Sequence, residues 1–465
     1  MGLKQPPADQ STDPKKRRRV GFSSIDAGVE PKECMKIFLV SSKDEVGASD
    51  GFCIDPIDLN QFFDDDGKIY GYQGLKITIW VSSISFHAYA DITYQSTSDG
   101  GKGITDLKSA LQRIFAETLV EKKDDFLQTF SSEIHYIRSV VTNGEILQHK
   151  ASNGHSNDSV GHLEAETSNV EALRMVAGNM PAGLFYSRLV PLVLLLVDGS
   201  SPIDITDSKW EIYLLVEKKT DQQGESQYRL LGFTTVYRFY HYPDTSRLRL
   251  SQILVLPPYQ HKGYGRYLLE LLNNVAISEN VYDVTVEEPL EYFQHVRTCI
   301  DTLRLLVFDP IQDAVNSVVL RLKQGKLSKR THTLPFMPPL SVVEDVRRSL
   351  KINKKQLLQC WEVLIYLGLD PIDKFMENYV TFISDLVKAD IIGKDSGTDG
   401  KQVIEVASDY DQEMSFVMFK SQAGEASSIQ MDENQTNQEE QLQQLVDERV
   451  KEIKLVAQKV SLHRS

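Results

Sequence analysis

An α/β (α+β) fold is predicted for this chain, with antiparallel strands feeding a strand–loop–helix–strand crossover. Three observations predict it. β-Branched and aromatic runs recur between residues 210 and 256. A glycine-punctuated loop, Gln260-His261-Lys262-Gly263-Tyr264-Gly265, stands between the last of these runs and an amphipathic helical stretch. A mixed α/β segment precedes this core, and a helix-rich one follows it.

A chain of 465 residues exceeds the usual size of one domain, so two or more folded units are expected. Hydrophobic residues at 41% and charged ones at 25% fit a globular chain able to bury a sizeable core. The longest dense apolar run, 189–197, contains Pro191 and falls far below the roughly 20 residues a membrane span requires. The first thirty residues carry no apolar signal segment, so a soluble intracellular protein with no membrane contact is expected. Cys34, Cys53, Cys299 and Cys360 lie far apart and form no metal-ligand spacing, so reduced thiols and no metal are expected. Against 51 Lys and Arg stand 65 Asp and Glu, a net charge of −14. Such a surface repels nucleic-acid phosphates and favours cationic partners, so no direct nucleic-acid contact is expected.

The elements follow in order. Residues 1–30 form a polar leader, in which Lys15, Lys16, Arg17, Arg18 and Arg19 read as a nuclear import signal for an import receptor. Residues 31–165 form a first domain. Strands are expected at 35–40, 75–81 and 88–94, helices at 107–120 and 124–134, a turn at Asn143-Gly144, and a loop at 148–168. Residues 166–310 form the core. It has a helix at 180–197, strands at 210–216, 228–240 and 247–256, a helix at 265–277, a strand at 282–286 and a helix at 290–306. Residues 311–395 are helical, with helices at 341–350 and 354–367 and Gly368 as a stop. Residues 396–440 read as a polar linker, and 441–465 as a lone helix in need of a partner surface.

Two strings carry chemistry. In the loop, Gly263 and Gly265 let backbone approach a ligand, and the free N–H groups opening the next helix suit a pyrophosphate. Lys262 and Arg266 add charge there. No acidic strand end follows about 20 residues on, as a dinucleotide fold requires, and no nucleotide-triphosphate loop is present. The second string is Asp283-Val284-Thr285-Val286-Glu287-Glu288-Pro289, a strand ending in two carboxylates. A carboxylate within reach of a protonated group can act as a general base, and burial with a like-charged neighbour tunes such an acid towards neutrality. The same residues also suit a helix cap.

The loop in this setting resembles the coenzyme A-binding motif of the GCN5-related N-acetyltransferase superfamily. Further strings narrow the resemblance to type B histone acetyltransferases: Tyr70-Gly71-Tyr72-Gln73-Gly74-Leu75-Lys76-Ile77, Gly232-Phe233-Thr234-Thr235-Val236-Tyr237 and Tyr242-Pro243-Asp244. The resemblance implies an acetyltransferase core with an N-terminal mixed domain and a helical C-terminal region. It implies acetyl-coenzyme A as co-substrate, held by Ile253, Leu254 and Val255 and by Gln260, His261, Lys262, Gly263, Tyr264, Gly265 and Arg266. Glu287 falls at the place of the general base, with Glu288 assisting; Asp198 falls where the family has a second assisting glutamate, one methylene longer. Contacts to a histone tail fall on Asp64, Asp65, Asp66, Trp210, Tyr237, Arg238 and Phe239. The implied substrate is the N-terminal tail of newly made histone H4, the implied partner a WD40-repeat histone-binding chaperone, and the implied location nucleus and cytoplasm. Two other readings stay open: a superfamily member acting on another amine or protein, and a non-catalytic histone carrier.

Overall fold

The computed structural model describes residues 28–48, 51–63, 66–99, 101, 103–151, 168–220, 226–325, 336–395 and 435–464. The import signal, Asp64, Asp65, most of the 148–168 loop and nearly all of the 396–440 linker lie outside the described residues. The chain divides into two compact units: Met1–Thr235 with Gln252–Tyr264, and Val236–Ser251 with Gly265–Ser465.

The first unit opens with a short helix α1 (Pro31–Cys34) and a five-stranded sheet. Strands β1 (Met35–Val40), β2 (Phe52–Ile54), β4 (Lys76–Ser82), β5 (Ala88–Thr93) and β7 (Leu119–Val120) run in the order β2-β1-β4-β5-β7. β1 and β4 pair in parallel, Ile37 opposite Ile79, which sets their buried side chains on one face. A two-stranded ribbon joins β3 (Tyr72–Gln73) to β6 (Ser96–Thr97). Helices α2 (Leu107–Phe115), α3 (Lys123–Ser132) and α4 (Tyr136–Val141) follow. Asp106 caps α2 by accepting from the Ser109 N–H at 3.1 Å, and Leu107, Ala110, Leu111 and Ile114 bury one stripe. The helix expected through residue 120 stops early. Ala116 adopts φ +45°, which no helix continues, and Leu119 and Val120 pair with β5 instead.

A six-stranded sheet has the order β13-β12-β11-β10-β9-β8, from β8 (Glu145–Ala151), β9 (Ser168–Val176), β10 (Trp210–Thr220), β11 (Ser226–His241), β12 (Thr245–Val255) and β13 (Val284–Val286). β8 and β9 correct the expected loop at both ends: residues 148–151 and 168 belong to an antiparallel pair, Lys150 opposite Val170. Helix α5 (Met180–Leu196) buries Phe185, Tyr186, Leu189, Leu192 and Val193 completely or nearly so, in one core with Ile212, Leu214 and Phe233.

In the second unit, α6 (Tyr264–Ser278) buries Leu268, Leu271, Leu272 and Val275, the face that its sequence spacing predicts. Helices α7 (Glu291–Leu306), α8 (Asp309–Gln324), α9 (Leu340–Leu350), α10 (Lys354–Gly368), α11 (Asp373–Asp395) and α12 (Gln435–Arg464) follow among the described residues. α12 begins six residues earlier than the expected helix and is not alone. Val446, Val450, Ile453, Val456, Ala457 and Val460 sit in the core formed by α7, α8, α10 and α11. Arg449 donates to the buried Glu362 and, at 2.9 Å, to Asp390, which fixes the register of docking. The partner surface α12 needs is therefore part of this same chain. Among the described residues no helix is long and apolar enough to cross a membrane.

Candidate active site

The site begins with the strand that carries it. Along β12, Leu248, Leu250, Gln252 and Leu254 are buried, while Ser251, Ile253 and Val255 alternate with them on the other face. β13 pairs with β12 only as far as Val286 opposite Leu250. β12 runs on to Val255, so residues 251–255 extend beyond the last β13 partner. Backbone on that edge is left without a β13 neighbour, the geometry in which a strand offers N–H and C=O groups to an extended ligand. Gly232 of β11 has a packing reason of its own. A Cβ there would stand 2.7 Å from the Leu254 carbonyl oxygen and 3.0 Å from the Val255 Cα, so only glycine admits this close approach.

Beyond β12 the chain makes a single 3-10 turn, Pro257–Tyr259, and reaches the loop. His261 at φ +59° and Gly263 at φ +85° both take the left-handed conformation. No atom lies within 4 Å of where a Gly263 Cβ would be, so this glycine faces open space. Its conformation, not crowding, is what demands glycine. The Gln260 side-chain amide donates to the Val255 carbonyl at 3.1 Å and ties loop to strand. Tyr264 and Gly265 then form the first turn of α6, whose opening N–H groups have no intrahelical acceptor. A diphosphate fits this arrangement of exposed glycine, turned backbone and helix start. The two cations differ. Arg266 is engaged at 2.7 Å by Glu270 one turn on, whereas Lys262 lies over the Tyr259 ring at 5.6 Å.

The carboxylates follow β13. The Glu287 N–H donates to the Leu250 carbonyl at 2.9 Å, and the Ser251 hydroxyl donates to Glu287 Oε2 at 2.8 Å. Those two bonds orient the carboxylate on the Ser251 face of β12 and leave Oε1 for another proton donor. Glu288 adopts φ +37°, a conformation that costs energy for any residue but glycine, and redirects the chain at once towards α7. Both side chains are exposed, which corrects the expectation of a buried acid. The reason is that β13 ends at Val286, and both carboxylates lie past its last residue.

The other predicted site residues are spread more widely. Asp198 is exposed, just past α5. Trp210 opens β10 half-buried, its carbonyl accepting from the Ala177 N–H at 2.9 Å. Tyr237 and Phe239 form an edge-to-face pair at 4.5 Å, and Arg249 lies over Phe239 at 4.6 Å. Arg238 is held by Glu279 at 2.7 Å and Ser246 at 3.0 Å. Asp66 accepts from the Tyr70 hydroxyl. The sequence reading missed Ser251 and Gln252; two polar residues opening the otherwise apolar run Ile253-Leu254-Val255 were the available signal.

Burial pushes the Cys34 and Cys299 thiols up to about 11 and raises Cys360 still further, so all three stay protonated and non-nucleophilic. Among the described residues no group of three or more His, Cys, Asp or Glu side chains could hold a metal ion.

Residues 27–198 match the family described as "Histone acetyl transferase HAT1 N-terminus", and residues 201–292 match the acetyltransferase (GNAT) family. The histone acetyltransferase type B catalytic subunit of Arabidopsis thaliana is 60% identical over 459 residues, 98% of this chain and 97% of that protein. Its counterpart in Zea mays is 51% identical over 469 residues, covering 99% and 97%. A type B catalytic subunit of Dictyostelium discoideum is 28% identical over 342 residues, covering 70% and 64%. Two adjoining family matches and identity along nearly the whole length give one answer: the chain belongs to the histone acetyltransferase type B catalytic subunits, acyltransferases with a GNAT domain.

Proposed function

We propose that the chain acetylates the ε-amino groups of lysines in the N-terminal tail of newly synthesised, free histone H4, using acetyl-coenzyme A, with Glu287 as general base. The observation that carries this reading is the double anchorage of Glu287 by Leu250 and Ser251, on the strand that continues to Ile253, Leu254 and Val255. Backbone N–H groups of residues 260–265 hold the diphosphate, and those of residues 253–255 orient the acyl end. Bound acetyl-coenzyme A supplies an activated thioester.

A lysine ammonium has an ordinary pKa of about 10.4, so the amine must lose a proton before it can attack. Glu287 takes that proton at its free oxygen, directly or through one water. Glu288 and Asp198 are assigned the assisting parts that the family resemblance implies. The protonated thiols at Cys34, Cys299 and Cys360 support direct transfer over an acyl-cysteine route. Asp64, Asp65 and Asp66 suit the Arg and Lys of a histone tail, and the edge-to-face pair Tyr237 and Phe239 offers apolar ring surface for the side-chain stems. The WD40-repeat chaperone is the proposed partner, and the run Lys15 to Arg19 the address for nuclear import from the cytoplasm.

Incubation with labelled acetyl-coenzyme A and a panel of acceptors tests the substrate. The H4 tail peptide should take label well ahead of small amines and of unrelated lysine peptides. Equal labelling of all acceptors would remove the histone assignment, and label on none would remove the activity.

A further inference from the structure

Two fully buried polar side chains converge on the loop that carries Asp198. Gln252 and Tyr186 are each 1% exposed. The Gln252 amide nitrogen donates to Ser200 Oγ at 2.9 Å and to the Ser201 carbonyl at 2.8 Å. Its amide oxygen accepts from the Tyr186 hydroxyl at 3.0 Å, and that same hydroxyl oxygen accepts from the Ile203 N–H at 3.1 Å. The Thr234 hydroxyl, at 2.7 Å, fastens the Gln252 carbonyl in turn. Three points on the loop, at 200, 201 and 203, are thus tied to β12 and α5 through one side-chain pair.

An apolar residue would fill the Gln252 volume at no desolvation cost. A buried amide is retained only with every hydrogen bond made, and here it makes them to a loop. Asp198 stands two residues before the first tie and is exposed. Its carboxylate is short, so its reach depends on where the backbone holds it; a misplacement of about 1 Å is enough to cost on the order of a hundredfold in rate.

We infer that Gln252, working with Tyr186, is a positioning residue for the acetyl-transfer reaction, which staples the 198–203 loop to β12 and sets the reach of the Asp198 carboxylate. The inference rests on the reading of Asp198 as an assisting carboxylate. Gln252→Met keeps the volume and removes the donors; Tyr186→Phe removes the shared hydroxyl with a smaller packing change. Each is made in the full-length chain, alone and together with Asp198→Asn, and kcat, both KM values and Tm are measured.

In the wild-type background each variant should lower kcat about tenfold, with the KM for acetyl-coenzyme A within about twofold. In the Asp198→Asn background neither should lower kcat further, because the group being positioned is already gone. Asp198→Glu should restore part of the kcat lost in Gln252→Met by lengthening the reach. Losses that add fully in both backgrounds would mean the pair only stabilises the fold, and would overturn the inference. If Asp198→Asn alone leaves kcat unchanged, Asp198 has no share in the reaction, and the reading beneath the inference falls as well. Should Gln252→Met not fold, Tyr186→Phe answers the same question.

Discussion

The loop after β12 and the turn after β13 are built by opposite means, and the proposed reaction gives each its own task. The loop works through its main chain: His261 and Gly263 hold left-handed conformations, α6 opens with free N–H groups, and the side chains of His261 and Lys262 point to solvent. The turn works through side chains: Glu287 is aimed by a serine hydroxyl, and Glu288 accepts a strained φ of +37°. Binding of a fixed cofactor can be written into backbone geometry and tolerate varied residues. Proton transfer needs a particular atom in a particular place, and tolerates little.

The difference can be broken at either end. The largest effect is expected from Gly263→Glu, which places a strained residue and a negative charge where the diphosphate is to lie. Calorimetry should detect no coenzyme binding, a loss of at least about a hundredfold, since the left-handed conformation and the charge both oppose it. Ser251→Ala removes one of the two anchors of Glu287 and should lower kcat about tenfold while coenzyme affinity stays the same. That is the size expected for one hydrogen bond to a charged group, and Ser251→Thr should recover most of it. Lys262→Ala should change coenzyme affinity by less than about threefold, because an exposed charge adds little to a backbone site. Cys53→Ser, at the exposed thiol of β2, should leave kcat unaltered; a large fall would reopen the covalent route.

How much of this was legible in the sequence depended on distance along the chain. The loop was readable because Pro257, Pro258, Gly263 and Gly265 lie within a few residues of each other, between a strand and a helix. The carboxylates were readable, but their exposure was not, because the apolar run through Val286 gives no sign that pairing stops there. Ala116 hid the end of α2, since alanine is a strong helix former and no residue type there marks the positive φ it adopts. Tyr186 and Gln252 lie 66 residues apart, and Arg449 and Glu362 lie 87 apart. No local pattern announces such pairs. Glu362, a charge inside the apolar run from Cys360 to Ile365, was the clearest trace.

The most direct test pairs turnover with binding in one variant. Labelled acetyl transfer to the H4 tail peptide and calorimetry with coenzyme A are run on the wild-type chain and on Glu287→Gln. Turnover should fall by about a hundredfold or more in the variant, the range a general base supplies, with coenzyme affinity unchanged. Wild-type turnover in Glu287→Gln, or no heat of coenzyme binding in the wild-type chain, would contradict the account.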